Sequence, residues 1–158
     1  MNSLHDLCLN HHITLACAES VTGGALCASM TQIANASGYF LGGVVAYTSK
    51  SKIDLLEVSK EIIETHSAYS LECVEAMAIG VQKKFNANLC LAISGEAGHH
   101  LINDHQERFV YSCIILNDRI ELYKDSLYGL RNDIIRECVE LLHHRCISII
   151  ERGYNGKE

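Results

Sequence analysis

The chain has 158 residues, of which 20% are charged and 48% are hydrophobic, the proportions of an ordinary folded domain. At this length we expect a single domain with its own core, covering residues 1–158. The formal net charge of −6 argues against non-specific nucleic-acid binding, which needs a basic surface. No apolar run reaches the length of a membrane span, and the first residues lack a signal-peptide pattern. We therefore expect no membrane partner and a cytoplasmic location.

The eight cysteines form no Cys-x-x-Cys pair, and most lie in apolar segments. Cysteine in such a segment acts as a small apolar residue, and in the cytoplasm it stays reduced. We expect free thiols rather than disulfides or a zinc site.

Helical and extended segments alternate along the chain, which predicts a layered α/β domain. Apolar spacing and capping residues predict helices over residues 3–12, 23–33, 53–56, 60–65, 70–85 and 131–151. Short apolar runs predict strands over residues 13–18, 39–47, 87–93, 109–116 and 119–126. Residues 48–52 are predicted as a polar turn, and Asn117-Asp118 as a two-residue hairpin turn that makes the last two strands antiparallel.

The most informative stretch joins the first strand to the second helix and reads Cys17-Ala18-Glu19-Ser20-Val21-Thr22-Gly23-Gly24. Two glycines allow a sharp turn and a close approach. The N–H groups that begin a helix have no partners within it and bind anions such as phosphate. Such a turn would present Ser20 to a substrate. The alternative is that Ser20 or Thr22 is only a helix cap.

A second glycine turn, Ser94-Gly95-Glu96-Ala97-Gly98, follows the third strand and leads into a polar segment, residues 99–108. Three histidines and an aspartate lie within residues 99–105. Imidazole nitrogen is a common ligand of zinc and nickel, so this segment is a candidate metal site. An exposed polar loop is the alternative, and it is the one we favour.

Four segments, in this order and spacing, resemble the CinA C-terminal domain family. They are Ala18–Gly24, Tyr47–Lys52, His66–Ser70 before Ala76–Gly80, and Ser94–Gly98. The resemblance runs from about residue 4 to about residue 150. It implies a three-layer α/β/α single domain with a mixed, mostly parallel sheet and one antiparallel hairpin. It also implies hydrolysis of nicotinamide mononucleotide to nicotinic acid mononucleotide and ammonia, without a metal or organic cofactor.

Carried over by position, the resemblance gives three catalytic residues. Ser20 matches the serine nucleophile, Lys52 the base and Tyr47 a tyrosine that relays the proton or orients the lysine. A serine needs a base to take its proton, and a lysine can serve in place of histidine if burial or a nearby cation lowers its pKa. Without the resemblance, Lys52 would be interpreted as a solvated surface lysine.

The predicted partner is a small-molecule nucleotide. Backbone N–H groups near Val21 to Gly24, or that of Gly95, are expected to hold the developing oxyanion. The helix start at Gly23, or Arg131 at the start of the last helix, is expected to hold the 5′-phosphate. The predicted substrate-binding residues are Thr22, Gly23, Gly24, Ser94, Gly95 and Arg131. We also expect a homo-oligomer.

The chain departs from the family pattern at two places. Val21 replaces a cysteine after the serine, and the turn after Gly95 lacks the family's proline, aspartate and paired glycines, with Glu96 in place of an apolar residue. These departures leave a second function open: a catalytically inactive nucleotide-binding or interaction protein on the same fold.

Overall fold

The computed structural model describes residues 3–98 and 106–154. Within these ranges the strands are β1 Leu15–Glu19, β2 Phe40–Val45, β3 Leu89–Gly95, β4 Arg108–Leu116 and β5 Arg119–Leu127. The helices are α1 Leu4–Asn10, α2 Ala25–Met30, α3 Ser49–Leu56, α4 Lys60–His66, α5 Leu71–Phe85 and α6 Arg131–Tyr154. None of these helices has the length and apolar character that crossing a membrane requires.

The strands form one sheet in the order β2-β1-β3-β4-β5. β1 is parallel to both β2 and β3. β4 is antiparallel to β3 and β5 is antiparallel to β4, so β5 returns to the direction of β3. Four strands therefore point one way, which confirms the predicted mixed, mostly parallel sheet and its final hairpin. The antiparallel pairing of β3 with β4 was not part of that prediction.

Helices cover both faces of the sheet. Leucines and isoleucines of β1, β3 and β4 pack against α1, α2 and α6 on one face. On the other face the strands present mainly alanine and cysteine, against which α5 and the neighbouring helices α3 and α4 pack. This arrangement confirms the three-layer fold. The eight cysteines are free thiols and seven are buried, in agreement with their prediction as small apolar residues.

The predicted polar turn at residues 48–52 is wrong, because α3 already begins at Ser49. The Thr48 side chain accepts a hydrogen bond from the Ser51 N–H, and the Ser51 hydroxyl accepts one from the Thr48 N–H. This reciprocal capping box stabilises a helix start. As a result Lys52 lies in the first turn of a helix rather than in a loop.

The second predicted helix is too long at both ends. Gly23 and Gly24 adopt positive φ angles of 58° and 108°, so α2 begins only at Ala25. At the other end the helix stops at Met30, and Ile33, the last residue of the predicted range, is 48% exposed.

The paired glycines of β2, Gly42 and Gly43, mark a bulge and a close approach. Leu15 pairs with Phe40 and Ala16 with Gly42, so Leu41 is the extra residue of a bulge. A Cβ on Gly43 would lie 2.4 Å from the Cys27 sulfur, which only a glycine avoids.

A second close approach joins α5 to α3. A Cβ on Gly80 would lie 2.1 Å from the Leu56 carbonyl oxygen at the end of α3. Glycine at this position therefore sets how closely the two helices pack, and with it the position of the helix that carries Lys52.

We expect Gly80→Ala to lower the free energy of unfolding by about 1–3 kcal/mol, the usual cost of forcing an added methyl group into a packed contact. Denaturant unfolding measures this change. Gly153→Ala in α6 is the matched control, because its Cβ would make an ordinary 3.4 Å contact with Leu116. Equal stability of the two variants would contradict the close packing of α5 on α3.

Candidate active site

The candidate site lies at the edge of the sheet where β1, β2 and β3 end. β2 lies on one side of β1 and β3 lies on the other. The order of the strands therefore reverses between β1 and β3, and the carboxyl ends of these two strands flank that switch point. Open α/β sheets bind ligands at such a point. Ser20 follows β1, Tyr47 lies just beyond β2 and Glu96 follows β3.

The turn that carries Ser20 is held by a buried carboxylate. Glu19 is fully buried at the end of β1, on the same face as Leu15 and Cys17. Its carboxylate accepts hydrogen bonds from the Thr22 hydroxyl at 2.6 Å and from three backbone N–H groups at 2.6–3.0 Å. Those N–H groups belong to Gly24, Leu26 and Cys27 at the start of α2. The carboxylate therefore caps the short helix from inside the protein.

This capping changes the predicted role of the glycine turn. The N–H groups of Gly24, Leu26 and Cys27 already donate to Glu19. Those of Gly23 and Ala25 donate at 3.0 Å to the carbonyl oxygens of Ser20 and Thr22, respectively. Thr22 is buried, with its hydroxyl turned to the same carboxylate. The helix start is thus occupied by the protein's own anion, and the structure does not place Thr22, Gly23 and Gly24 as a phosphate cradle.

Lys52 reaches Ser20 from α3. Its side chain is 1% exposed, so the prediction of a solvated lysine from local pattern alone is wrong. Its Nζ donates to Ser20 Oγ at 2.8 Å and to the Ala46 carbonyl oxygen at 3.0 Å, with the Tyr47 carbonyl oxygen at 3.5 Å. Among the described residues, no carboxylate forms an ion pair with this amine.

Burial lowers the pKa of Lys52, and the nearby Cys73 thiol opposes this shift only in part. A neutral amine has two N–H groups and one lone pair. The two carbonyl oxygens beyond β2 accept the N–H groups, which leaves the lone pair for the Ser20 hydroxyl. In that form the hydrogen bond reverses, and Ser20 donates to Lys52. The surroundings thus favour the state in which the amine can act as a base.

Ser20 opens onto a cleft of about 230 Å³. Its walls come from the three strand ends, from the start of β4 and from the first residue of α6. They are lined by Ser20, Val21, Tyr47, Tyr69, Gly95, Glu96, Ala97, Gly98, Arg108 and Arg131. Lys52 lies behind Ser20 rather than in the wall, which keeps the amine away from water.

Arg131 and Tyr47 form one side of this cleft. The Arg131 guanidinium donates to the Tyr47 hydroxyl at 2.7 Å and to the Gly98 carbonyl oxygen at 3.0 Å. The Tyr47 hydroxyl is therefore paired with Arg131, whereas its carbonyl oxygen contacts Lys52. The structure thus differs from the first predicted role, a proton relay, because the tyrosine hydroxyl contacts Arg131 rather than Lys52. The second predicted role, orienting Lys52, falls to the Tyr47 carbonyl oxygen.

The predicted residues of the second glycine turn separate into two groups. Gly95 lies in the cleft wall, where a Cβ would come within 2.6 Å of the Phe109 carbonyl oxygen. Ser94 is buried and its hydroxyl donates to the Ala68 carbonyl oxygen at 2.8 Å. Ser94 therefore fixes the loop before α5 and does not line the cleft.

The chain matches the model of the CinA C-terminal domain over residues 1–144. The chain belongs to the CinA C-terminal domain family. This confirms the resemblance inferred from the four sequence segments.

Named relatives of the CinA family differ in length. The MG115 homolog of Mycoplasma pneumoniae is 39% identical over 127 residues, which cover 80% of this chain and 81% of that protein. A CinA-like protein of Petrotoga mobilis is 31% identical over 153 residues, which cover 96% of this chain but only 38% of that protein. The chain thus spans most of the first relative and well under half of the second.

Solved structures of the CinA family share the fold. Competence damage-inducible protein A (ComA) of Klebsiella pneumoniae superposes with a TM-score of 0.82 at 25% identity, covering 96% of this chain and 97% of that one. A CinA superfamily protein from another Klebsiella pneumoniae isolate gives a TM-score of 0.81 at 26% identity, covering 96% and 98%. The names of these two proteins specify no reaction.

Among the cleft residues outside the predicted site residues of this CinA domain, three carry polar or charged side chains: Tyr69, Glu96 and Arg108. Tyr69 and Glu96 belong to two of the segments that carried the resemblance, and Glu96 is also one of the departures from the family pattern. Arg108 begins β4, and only the antiparallel β3–β4 pairing brings it to the same edge as Ser20.

The histidine-rich segment, residues 99–105, lies outside the described residues, so its candidate metal site stays a prediction. Within residues 3–98 and 106–154 no cluster of three or more histidine, cysteine, aspartate or glutamate side chains is arranged to hold a metal ion.

We expect Glu19→Gln to lower the free energy of unfolding by about 2–3 kcal/mol, because an amide nitrogen cannot accept from the backbone donors that converge on it. Chemical denaturation measures the loss. Glu64→Gln is the control, since Glu64 is exposed and makes only a surface ion pair with Lys60, worth at most about 1 kcal/mol. If Glu19→Gln were as stable as the control, the internal cap would not hold the turn.

Proposed function

We propose that this protein hydrolyses the carboxamide of nicotinamide mononucleotide to nicotinic acid mononucleotide and ammonia, with Ser20 as nucleophile and Lys52 as base. The observation that carries the proposal is the 2.8 Å contact between Lys52 Nζ and Ser20 Oγ, in which a buried amine lies behind a serine that lines the cleft. Membership of the CinA family supports the choice of substrate through the resemblance described above.

In the first step Ser20 Oγ attacks the carboxamide carbon while its proton passes to Lys52 Nζ. The carbonyl oxygen becomes an oxyanion, for which the Val21 N–H beside the nucleophile is the candidate donor. The carbon–nitrogen bond then breaks, Lys52 returns the proton to the leaving nitrogen, and ammonia departs. An ester between Ser20 and the nicotinoyl group remains.

In the second step water attacks this ester, and Lys52 takes the proton from the water and gives it back to Ser20 Oγ. The product acid leaves and the serine is restored. One base serves both half-reactions, as it does in other enzymes with a serine nucleophile. The atoms balance without a metal or an organic cofactor.

The phosphate of the substrate is assigned to Arg131. Its guanidinium lies in the cleft wall, where the Tyr47 hydroxyl and the Gly98 carbonyl hold it. Arginine binds phosphate through paired N–H groups. The start of α2, which serves anions in other proteins, is excluded from this role because Glu19 already fills it.

Ammonia release from nicotinamide mononucleotide by the purified protein tests the function. We expect Ser20→Ala and Lys52→Met each to lower kcat/KM by about 10³-fold or more, because each removes half of the nucleophile–base pair. Methionine fills the space of the lysine stem without an amine, so the fold should survive.

Ser112→Ala is the matched control. Ser112 is a second buried serine, in β4, and its hydroxyl has no hydrogen-bond partner in the described part of the chain. This variant should keep full activity. Wild-type protein that binds the nucleotide without releasing ammonia would favour the inactive binding protein on the same fold. Full activity of Lys52→Met would contradict the proposed base.

A further inference from the structure

Glu96 occupies a fixed position between two clefts. Its N–H donates to the Phe109 carbonyl oxygen at 3.3 Å, which continues the β3–β4 ladder one residue past Gly95. Its side chain lines the cleft over Ser20 and also a neighbouring cleft of about 250 Å³. The backbone is therefore held while the carboxylate is presented to a ligand.

The Glu96 carboxylate keeps capacity for a ligand. Its side chain is 56% exposed, and its ion pair with Arg108 is long, with 3.9 Å between Arg108 Nη1 and Glu96 Oε2. A carboxylate has about four acceptor positions on its two oxygens. Among the described residues this one long contact is the ion pair of Glu96, and it leaves most of those positions open to a cation or a donor in the cleft.

Tyr69 is the second residue shared by the two clefts. It lies in the loop before α5 and is 45% exposed. A half-exposed phenol ring offers a face on which a planar cation can stack, and this contact is attractive because the ring face carries negative charge.

The cleft therefore carries groups of both charges. Arg131, held by Tyr47 and Gly98, suits an anion, whereas Glu96 and Tyr69, on the wall shared with the neighbouring cleft, suit a cation. A substrate that fits such a cleft carries a phosphate and a positively charged ring. The oxidised pyridine ring of a mononucleotide has that charge, and its reduced dihydropyridine form is neutral.

We propose that Glu96 and Tyr69 recognise the positive charge of the substrate's ring and thereby select oxidised over reduced pyridine nucleotides. The proposal rests on the proposed function, because it names the group that orients the carboxamide over Ser20. Glu96 supplies the opposite charge and Tyr69 the stacking surface. Both residues act by binding and positioning and neither takes part in the bond changes.

Binding, rather than rate, tests this inference cleanly. A cationic ring withdraws electrons from its carboxamide and makes it react faster on any enzyme, so rates would mix chemistry with recognition. The Ser20→Ala variant allows the affinity for intact ligand to be measured without turnover. The two probes are nicotinamide mononucleotide and its reduced form, which differ in the charge and reduction state of the ring.

By titration calorimetry we expect the Ser20→Ala protein to bind the oxidised form about 3- to 10-fold more tightly, the range of a partly exposed cation–π and charge contact. Adding Glu96→Gln should bring the affinity ratio close to one, chiefly by weakening the oxidised form. Adding Tyr69→Leu should lower the ratio in the same direction. Glu64→Gln in α4, which lines neither cleft, should leave the ratio unchanged.

The outcomes separate this inference from the proposed function. A ratio that Glu96→Gln leaves intact overturns the inference, even when the wild type releases ammonia. A ratio that depends on Glu96 in a protein that releases no ammonia upholds the inference and rejects the hydrolysis. If neither nucleotide binds, the inference is rejected, and ammonia release by the wild type alone decides the proposed function.

Discussion

The chemistry of this domain depends on one buried amine. Removing an ammonium group from water costs free energy unless the charge is paired, and the surroundings of Lys52 offer two carbonyl oxygens and a hydroxyl but, among the described residues, no carboxylate. Burial thus lowers the pKa of this amine and shifts it toward its neutral form, 2.8 Å from the hydroxyl that it would activate. The capping box of α3 and the close contact of α5 at Gly80 fix that position.

On the other side of Ser20, a buried carboxylate is stabilised by hydrogen bonds instead of lacking a charged partner. Glu19 accepts these hydrogen bonds from backbone N–H groups at the start of α2. The carboxylate of Glu19 compensates the positive end of the helix dipole, and these hydrogen bonds hold the turn that carries Ser20. The consequence is a division of roles: the helix terminus, often a phosphate site, here shapes the backbone at Ser20, and the arginine at the start of α6 is left for the anion.

Capping, turn and periodicity rules predict most of the helices and strands, but they do not predict how these elements pack and pair with one another. Ser3 and Ser70 cap their helices as the sequence indicates, and the Asn117 turn makes its hairpin, because these signals act within a few residues. The segment Thr48-Ser49-Lys50-Ser51 is polar throughout and so predicts a turn. The structure shows that its first and last residues form the capping box of α3. The register of β4, which brings Arg108 to the site, depends on pairing across the sheet.

The two carboxylates show where sequence reasoning stopped. Glu19 is a charged residue that directly follows an apolar run. Side chains alternate along a strand, so Glu19 shares a face with the buried Leu15 and Cys17. This alternation indicates that its side chain turns inward toward α2. Helix-start rules consider only the backbone N–H groups, and they therefore predict a bound phosphate at this turn. Glu96 stood out as a departure from the family pattern, but its place between two clefts depends on the β3–β4 ladder and the loop that carries Tyr69.

Direct titration of Lys52 tests the central claim. In protein labelled with ¹³C at the lysine Cε, the Lys52 signal is the one missing from the Lys52→Met spectrum, and its chemical shift reports the proton on Nζ as pH rises. Because burial disfavours the ammonium form, we predict that the pKa of Lys52 lies below the ordinary lysine value of 10.5. Loss of the proton at or above 10.5 would show that the amine stays charged beside Ser20 and would contradict its role as base.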